Sequence, residues 1–357
     1  MVKDLCFEII DKCLNHCKFC SSNSCLNSTH SVSYEDFKRV IDYFQKNGGI
    51  EELSLSGGEP FLHKDLLKMV SYTKSLGIRT VIFTSGVVYH QELSEEEREY
   101  WKKEQKKYLE EIDKFEKENT FLKDKIKKYY QNLLNPPKFS KIPKETLLKL
   151  KQIGLDKIVF DYQGYESKTD NYLMERSEIS RVAFLDSLFN AYATGLNIDI
   201  HFIPLKPNYQ EISDILELLE LIKVPSISIL NFLPQGRGKQ NQRSLQLTKQ
   251  ELQEFFLLLE KGATNYSGKI RIGIPLQGKN THKCNAGLEK LDIKYDGTVL
   301  PCPAFKELTE EECQKYHIKL PNIYTSLDSI KIKGTGTRKE PLCQEIYKYR
   351  KKTKKIQ

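Results

Sequence analysis

The chain has 357 residues, which is enough for two domains and a sizeable core. Its nine cysteines are an odd number and no signal peptide opens the sequence, so we expect metal ligation in a reducing, cytoplasmic setting rather than a disulfide framework. No apolar run approaches the roughly 20 residues of a membrane helix. We therefore expect no membrane contact, and the net charge of +8 is concentrated in part in a basic tail.

Strand and helix signals alternate along the chain. The predicted strands are residues 5–10, 51–56, 78–84, 157–162, 197–205 and 225–232. The helices predicted between them are residues 34–45, 65–75, 144–153, 178–193 and 209–222. This repetition predicts an α/β fold with a parallel sheet. In barrels built from such units, ligands bind at the C-terminal ends of the strands.

Three cysteines, Cys13, Cys17 and Cys20, follow the first predicted strand in a CxxxCxxC run. Thiolates are soft ligands that suit iron–sulfur clusters or zinc. Three protein ligands on a four-iron cluster leave one iron free to bind another molecule, and an open position separates reactive metal sites from closed ones. A closed zinc site is the alternative, and it would take a fourth ligand from His16 or Cys25.

The second predicted strand ends at Gly57, Gly58, Glu59 and Pro60. Glycines let the backbone approach a ligand closely, and a carboxylate on such a loop can pair with an ammonium group. A structural turn would explain the same residues.

Together the two motifs resemble those of the radical S-adenosylmethionine (radical SAM) superfamily. In that family the free iron of a [4Fe–4S] cluster chelates S-adenosylmethionine, and a GGEP motif holds the methionine amino group. The resemblance implies a partial (β/α)6 barrel of the TIM type, which matches the six units counted above and would span residues 1–245. It assigns Cys13, Cys17 and Cys20 to the cluster, and it assigns Gly57, Gly58, Glu59 and Pro60 to S-adenosylmethionine.

The resemblance continues at the ends of later strands, where it implies four further cofactor-binding residues, Ser85, Asp161, Arg176 and Asn231. Asp161 and Gln163 replace the serine and aspartate of the family's S-x-D-G stretch. A loop of residues 234–238 resembles the family's P-x-G-R segment. Ordinary loop chemistry is the alternative for each. His201 on the fifth strand could face the barrel interior or be an ordinary core histidine.

Residues 92–135 contain neither glycine nor proline, and apolar positions recur in steps of four and three from Trp101 to Leu133. This heptad pattern predicts a coiled coil. We expect a helical insertion at residues 91–137, after the third strand, through which the chain could form a homodimer or dock a partner. The alternative is a solvated helical hairpin bent near Asn119.

A second group of cysteines lies near the C-terminus. Cys284 precedes a predicted hairpin that turns at Asp296 and Gly297, and Cys302 follows it. This resembles the SPASM/twitch domains that follow some radical SAM barrels. The resemblance implies a small α+β twitch-like domain at residues 246–343 with an auxiliary iron–sulfur cluster on Cys284, Cys302, Cys313 and Cys343. A zinc site on these cysteines or buried free thiols are the alternatives.

The basic tail, residues 344–357, could bind nucleic acid or be a disordered end. The resemblance implies an iron–sulfur enzyme of oxidoreductase type, with a reductant such as flavodoxin or ferredoxin. Such an enzyme cleaves S-adenosylmethionine to a 5′-deoxyadenosyl radical, which takes a hydrogen atom from a substrate. The substrate could be a peptide, with the insertion replacing the N-terminal peptide-binding domain of such enzymes, or a small molecule, a nucleotide or RNA. A zinc or iron–sulfur interaction protein that assembles through its coiled coil is the alternative of another class.

Overall fold

The computed structural model describes residues 2–89, 94–115, 120–134, 139–273 and 284–330, together with 343, 345, 346 and 349. Its strands in chain order are β1 (Val2–Ile10), β2 (Ile50–Gly57), β3 (Arg79–Thr84), β4 (Val87–Tyr89), β5 (Phe139–Lys141), β6 (Lys157–Asp161), β7 (Ile198–Phe202), β8 (Ser226–Ile229), β9 (Lys269–Ile272), β10 (Lys290–Ile293) and β11 (Val299–Leu300). Its helices are α1 (Tyr34–Lys46), α2 (Leu66–Ser75), α3 (Glu95–Phe115), α4 (Thr120–Leu134), α5 (Lys144–Ile153), α6 (Ser167–Met174), α7 (Glu178–Ala193), α8 (Ile212–Leu221), α9 (Arg237–Gln240), α10 (Gln242–Leu245), α11 (Lys249–Ala263) and α12 (Glu310–Lys315).

Nine of the strands form one sheet in the order β11-β10-β1-β2-β3-β6-β7-β8-β9. Neighbouring strands are parallel except for the antiparallel hairpin of β10 and β11. The six predicted strands are β1, β2, β3, β6, β7 and β8, and they lie side by side in chain order. Within the described residues β9 and β11 do not pair with each other, so the barrel is open. The predicted α/β fold with a parallel sheet is confirmed.

The two faces of β1 show how the sheet separates core from site. Leu5, Phe7 and Ile9 are fully buried, and the Phe7 ring lies 5.5 Å from that of Phe37 on α1. Successive strand residues point to opposite faces, so Glu8 faces away from the helices and into the barrel. The outer helices pack in sequence, with α1 on α2, α2 on α5 and α5 on α7.

The structure contains a seventh parallel strand, β9, which pairs with β8 and is preceded by α11. The pattern did not predict this unit because β9 is four residues long, alternates with Lys269 and Arg271, and is largely exposed. The helix α6 was missed too, since eight residues give too few turns for a clear period.

The insertion after β3 is a helical hairpin, so the alternative interpretation is the one that the structure supports. The helices α3 and α4 pack against each other, with the Tyr108 and Tyr130 rings 6.4 Å apart. The strands β4 and β5 pair antiparallel at its base. Tyr129, a predicted seam residue, is 61% exposed while Tyr130 is 5% exposed. The predicted heptad seam along one straight helix is therefore wrong. The helices α3 and α4 pack against each other along a side of α4 that contains Tyr130 rather than Tyr129.

The C-terminal hairpin joins the barrel sheet, because β10 pairs in parallel with β1. Gly297 occupies its turn with a φ of +82°, a conformation that glycine adopts at little cost. The chain after β11 then returns to the barrel mouth. None of the helices in the described part of the chain has the length and apolar character needed to cross a membrane.

Candidate active site

The ends of the parallel strands surround one cavity of about 260 Å³. Its wall contains the three cysteines of the N-terminal run and residues that follow five other strands of the sheet. The predicted residues that line it are Cys13, Cys17, Cys20, Gly57, Gly58, Ser85, Asp161 and Asn231. The sequence argument placed these residues at the C-terminal face of the sheet, and the structure brings them to one site.

Gly57 and Gly58 allow two backbones to touch. A Cβ atom at Gly57 would lie 2.1 Å from the carbonyl oxygen of Ile10, and one at Gly58 would lie 2.1 Å from that of Lys12. The Gly58 N–H donates to Ile10 O at 2.7 Å, and the Glu59 N–H donates to Lys12 O at 2.8 Å. The glycine pair therefore holds the segment that leads into Cys13 against the end of β2.

Glu59 lies behind this loop and does not line the cavity. Its carboxylate is fully buried and accepts hydrogen bonds from Thr84 Oγ1 at 2.8 Å, from Ser85 N at 2.8 Å and from Ser85 Oγ at 2.6 Å. Burial raises the pKa of Glu59, and the bonds from Ser85 and Thr84 oppose that rise. With these internal donors, the carboxylate fastens β2 to β3. The pairing of Glu59 with an ammonium group stays a prediction.

Arg176 also lies outside the cavity wall. It is buried, bonds to Asp170 through Nε at 2.8 Å, and places its guanidinium 4.4 Å from the centroid of the Phe184 ring. Its Nη1 is buried without a partner among the described residues.

Burial raises the pKa of Asp161 to about 7, with the Glu59 charge adding to the rise and Arg176 opposing it. Pro60 is buried and begins a short 3₁₀ helix that ends at Leu62.

The residues around the three thiols fit an iron–sulfur cluster. Asn15 Nδ2 and Ser24 Oγ line the same cavity, and both are buried donors that lack an acceptor within the described residues. Buried polar groups are rarely left unpaired, and cluster sulfides and thiolates accept hydrogen bonds. Within the described residues, no three His, Cys, Asp or Glu side chains are close enough to hold one metal ion. Each thiolate of a [4Fe–4S] cluster binds its own iron, so a cluster does not require three thiols to meet at one metal ion.

Two charged residues of the cavity wall were not predicted, namely Glu8 and Lys306. Lys306 lies between Cys302 and Cys313 in the sequence, and its ammonium donates to the Glu8 carboxylate and to Ser22 Oγ at 2.6 Å. Burial alone would lower the pKa of Lys306, but the charges of Glu8 and Asp292 raise it. The alternation of β1 indicated that Glu8 faces the interior. Nothing in the sequence paired it with a residue about 300 positions away.

His201 lies on β7 next to Asp161 on β6, with its ring 4.9 Å from that of Phe83. Burial lowers the pKa of His201 to about 4, and the nearby Asp199 opposes this. The neutral ring is therefore preferred in the folded state. No cofactor role for it follows from these contacts.

We expect the free energy of unfolding to fall as the pH drops from about 6.5 toward 4. The unfolded chain binds a proton at His201 in this window and the folded chain does not, so stability is present above the ordinary pKa and lost below it. The loss should be on the order of 1 kcal/mol between pH 7 and 5.5. Denaturation of wild type and His201→Gln at both pH values measures it. An equal slope in the variant would assign the loss to other groups.

The second cysteine group is brought together only in part. Cys284, Cys302 and Cys343 lie in one apolar cluster with Phe305 and other residues. Cys313 lies on α12 outside this cluster, where burial, Glu312 and Glu310 raise the pKa of its thiol. All nine cysteines of the chain are free of disulfide bonds.

Comparison with known proteins agrees with this geometry. Residues 7–130 match the family model described as the Radical SAM superfamily. The chain therefore carries a radical SAM domain, and it is an enzyme of that type whose cofactors are a [4Fe–4S] cluster and S-adenosylmethionine.

Particular relatives extend the comparison over most of the chain. A PqqA peptide cyclase of Bradyrhizobium diazoefficiens is 21% identical over 346 residues, which cover 94% of this chain and 76% of that protein. Streptococcus suis SuiB bound to S-adenosylmethionine superposes with a TM-score of 0.63 at 16% identity, over 97% of this chain and 68% of SuiB. SuiB bound to its precursor peptide SuiA gives the same TM-score at 15% identity, over 97% and 66%. The peptide-bound anSMEcpe has a TM-score of 0.56 at 13% identity, over 92% and 79%.

Proposed function

We propose that this chain is a peptide-modifying radical SAM enzyme whose cluster is held by Cys13, Cys17 and Cys20. The observation that carries the proposal is the cavity at the strand ends, where three thiols share one wall with two buried donors that lack acceptors in the described part of the chain. When bound there, the reduced cluster and S-adenosylmethionine would supply a 5′-deoxyadenosyl radical.

The chain's own residues would bind and shield the cofactor. The backbone of Gly57 and Gly58, the Ser85 hydroxyl, Asp161 and Asn231 line the cavity and are the polar groups proposed to orient S-adenosylmethionine. Phe83, Ile203 and Phe232 line the same cavity. Apolar walls of this kind exclude water from a reactive intermediate. Arg176 and Pro60 would act from behind the wall, through the charge on Asp161 and the shape of the loop.

A peptide is the proposed substrate because the similar proteins include a peptide cyclase and two enzymes solved with peptides. The helical hairpin, α3 and α4, is a suitable docking element. Its base begins at Val87, two residues after Ser85 of the cavity wall. Its exposed aromatic side chains are Tyr100, Tyr108, Phe121 and Tyr129. In this proposal the hairpin serves the peptide rather than a homodimer.

The proposal also includes an auxiliary cluster in the C-terminal region, residues 246–343. Cys284, Cys302 and Cys343 are the ligands favoured by their shared apolar cluster, and Cys313 is the least favoured of the four. In the proposal the enzyme is cytoplasmic, and an external reductant such as flavodoxin or ferredoxin would supply electrons to its clusters. The tail at 344–357 lies almost wholly outside the described residues, so its proposed nucleic-acid contact has no structural support.

Iron content tests the auxiliary cluster. We expect about eight iron atoms per anaerobically reconstituted chain, and about four in a variant with Cys284, Cys302 and Cys343 all changed to Ala. The Cys313→Ala variant should keep the wild-type iron content. About four iron atoms in the wild type, unchanged in the triple variant, would show that no auxiliary cluster forms.

The substrate class is tested with synthetic copies of short peptides encoded beside this gene. Reconstituted enzyme, reductant and S-adenosylmethionine are incubated with each peptide in deuterated water, and the products are analysed by mass spectrometry. We expect peptide-dependent 5′-deoxyadenosine together with loss of hydrogen for a cross-link or gain of deuterium for an epimerised centre. Turnover with a nucleotide mixture but with no peptide would contradict the peptide assignment.

A further inference from the structure

Arg237 is a buried cation in the wall that contains the three thiols. It is the first residue of α9, it is 7% exposed, and it lines the same cavity as Cys13, Cys17 and Cys20. An arginine so placed is uncommon unless it is paired, because burying an uncompensated charge is costly.

The Arg237 guanidinium bridges the two ends of the cysteine loop. Its Nε donates to Cys17 O at 3.0 Å and its Nη2 donates to Ser24 O at 2.8 Å. The neighbouring Gly236 brings the backbone close, since a Cβ there would lie 2.7 Å from Cys20 O. The loop after β8 therefore packs against and holds the segment that carries Cys17 and Cys20.

Among the residues that the structure describes, the charge of Arg237 has no carboxylate partner. Across the described ranges no Asp or Glu forms an ion pair with Arg237, and both of its hydrogen bonds go to neutral carbonyl oxygens. The charged wall residues Glu8 and Lys306 form an ion pair with each other. An anion bound in the cavity beside the thiols would supply a countercharge.

We propose that Arg237 is a positioning residue that both holds the cysteine loop and raises the reduction potential of the cluster bound there. This inference rests on the proposed cluster site. A cluster ligated by three thiolates is anionic, and it gains one more negative charge when an external reductant supplies one electron. A fixed, poorly solvated cation stabilises the reduced form more than the oxidised form, and charge and burial are the levers by which proteins set such potentials.

The test is mediated spectroelectrochemistry on anaerobically reconstituted protein without substrate. The variants are Arg237→Gln and Arg237→Met, which remove the charge, and Arg237→Lys, which keeps it but cannot bridge two carbonyls. The control is Lys239→Gln, which removes an exposed lysine two residues away that pairs with Glu307. The S-adenosylmethionine-free state is used, so that changes in cofactor affinity do not enter.

We expect the neutral variants to shift the equilibrium of one-electron reduction about tenfold toward the oxidised cluster, which is about 59 mV. The Arg237→Lys variant should keep a potential near wild type and lose iron faster, and Lys239→Gln should match wild type in both. If the neutral variants retain no cluster, a wild-type potential in Arg237→Lys still supports the charge effect.

Two results would overturn the inference. One is a wild-type potential in both neutral variants, and the other is a loss of the cluster in Arg237→Lys as complete as in the neutral variants. A wild-type protein that binds no iron–sulfur cluster at all would instead refute the proposed function. The two failures are therefore distinguishable from the spectra of the wild type.

Discussion

The Gly58→Ala variant is expected to lose most of its N-terminal cluster iron and about 3 kcal/mol of stability. The added Cβ would lie 2.1 Å from Lys12 O, 2.5 Å from Lys12 C and 2.7 Å from Asp11 O. These are backbone atoms, so no side chain can rotate away to relieve the overlap. Overpacking of this kind typically costs about 1–3 kcal/mol, and the segment that moves is the one that carries Cys13.

Gly77→Ala is the matched control for this prediction. Gly77 has a φ of +73° and a Cβ there meets nothing within 4 Å, so the substitution adds about 1–2 kcal/mol of backbone strain without displacing a neighbour. Iron content and chemical denaturation are measured for both variants. Full iron occupancy in Gly58→Ala would show that the close approach of the two backbones is not needed to hold the cluster.

The Lys306→Ala variant is expected to lose about 3–5 kcal/mol of stability. Lys306 is the cationic partner of Glu8, whose side chain is 1% exposed, and its charge also acts on the fully buried Asp292. Burial raises the pKa of Asp292 to about 7, and Lys306 is the group that most opposes this rise. Removing the ammonium leaves a buried carboxylate without its countercharge, which costs more than the ion pair itself contributes.

A double variant separates this electrostatic cost from lost packing. Adding Glu8→Gln to Lys306→Met should recover much of the stability, because the uncompensated charge is then gone. As a control, Lys239→Ala removes an ion pair at the surface and should lower the free energy of unfolding by at most about 1 kcal/mol. Denaturant unfolding of the wild type, Glu8→Gln, Lys306→Met and the double variant gives the coupling between Glu8 and Lys306. Strictly additive effects would contradict the pairing across the cavity wall.

The features that could be predicted from the sequence are those whose signal lies in neighbouring residues. The six strands and the position of the cysteine run and Gly57–Gly58 follow from periodicity and from the rule that ligands bind at strand ends. The packing of the glycines against a second backbone did not follow, because the approach of Ile10 O and Lys12 O leaves no signal in the sequence. A glycine pair in a sequence does not show whether a ligand or another segment of the backbone approaches it.

Residues that act over long sequence separations could not be assigned their contacts from the pattern. Arg237 reaches Cys17 across 220 positions, and Lys306 reaches Glu8 across 298. The predicted roles of Glu59 and Arg176 depend on which way each side chain turns, and the sequence did not show that both bond to internal partners. The heptad pattern was real but ambiguous, since a folded hairpin and a straight coiled coil share one period.

The most direct test of the open cluster is 5′-deoxyadenosine formation by Cys17→Ala and Cys25→Ala under anaerobic, reducing conditions. Cys25 is the matched control, since its thiol contacts Ser28 Oγ at 3.4 Å and its backbone carbonyl accepts a hydrogen bond from Cys13 N. We expect Cys25→Ala to cleave S-adenosylmethionine like wild type and Cys17→Ala to produce no 5′-deoxyadenosine. Wild-type cleavage by Cys17→Ala, or a wild-type protein that holds zinc there and cleaves nothing, would contradict the assignment.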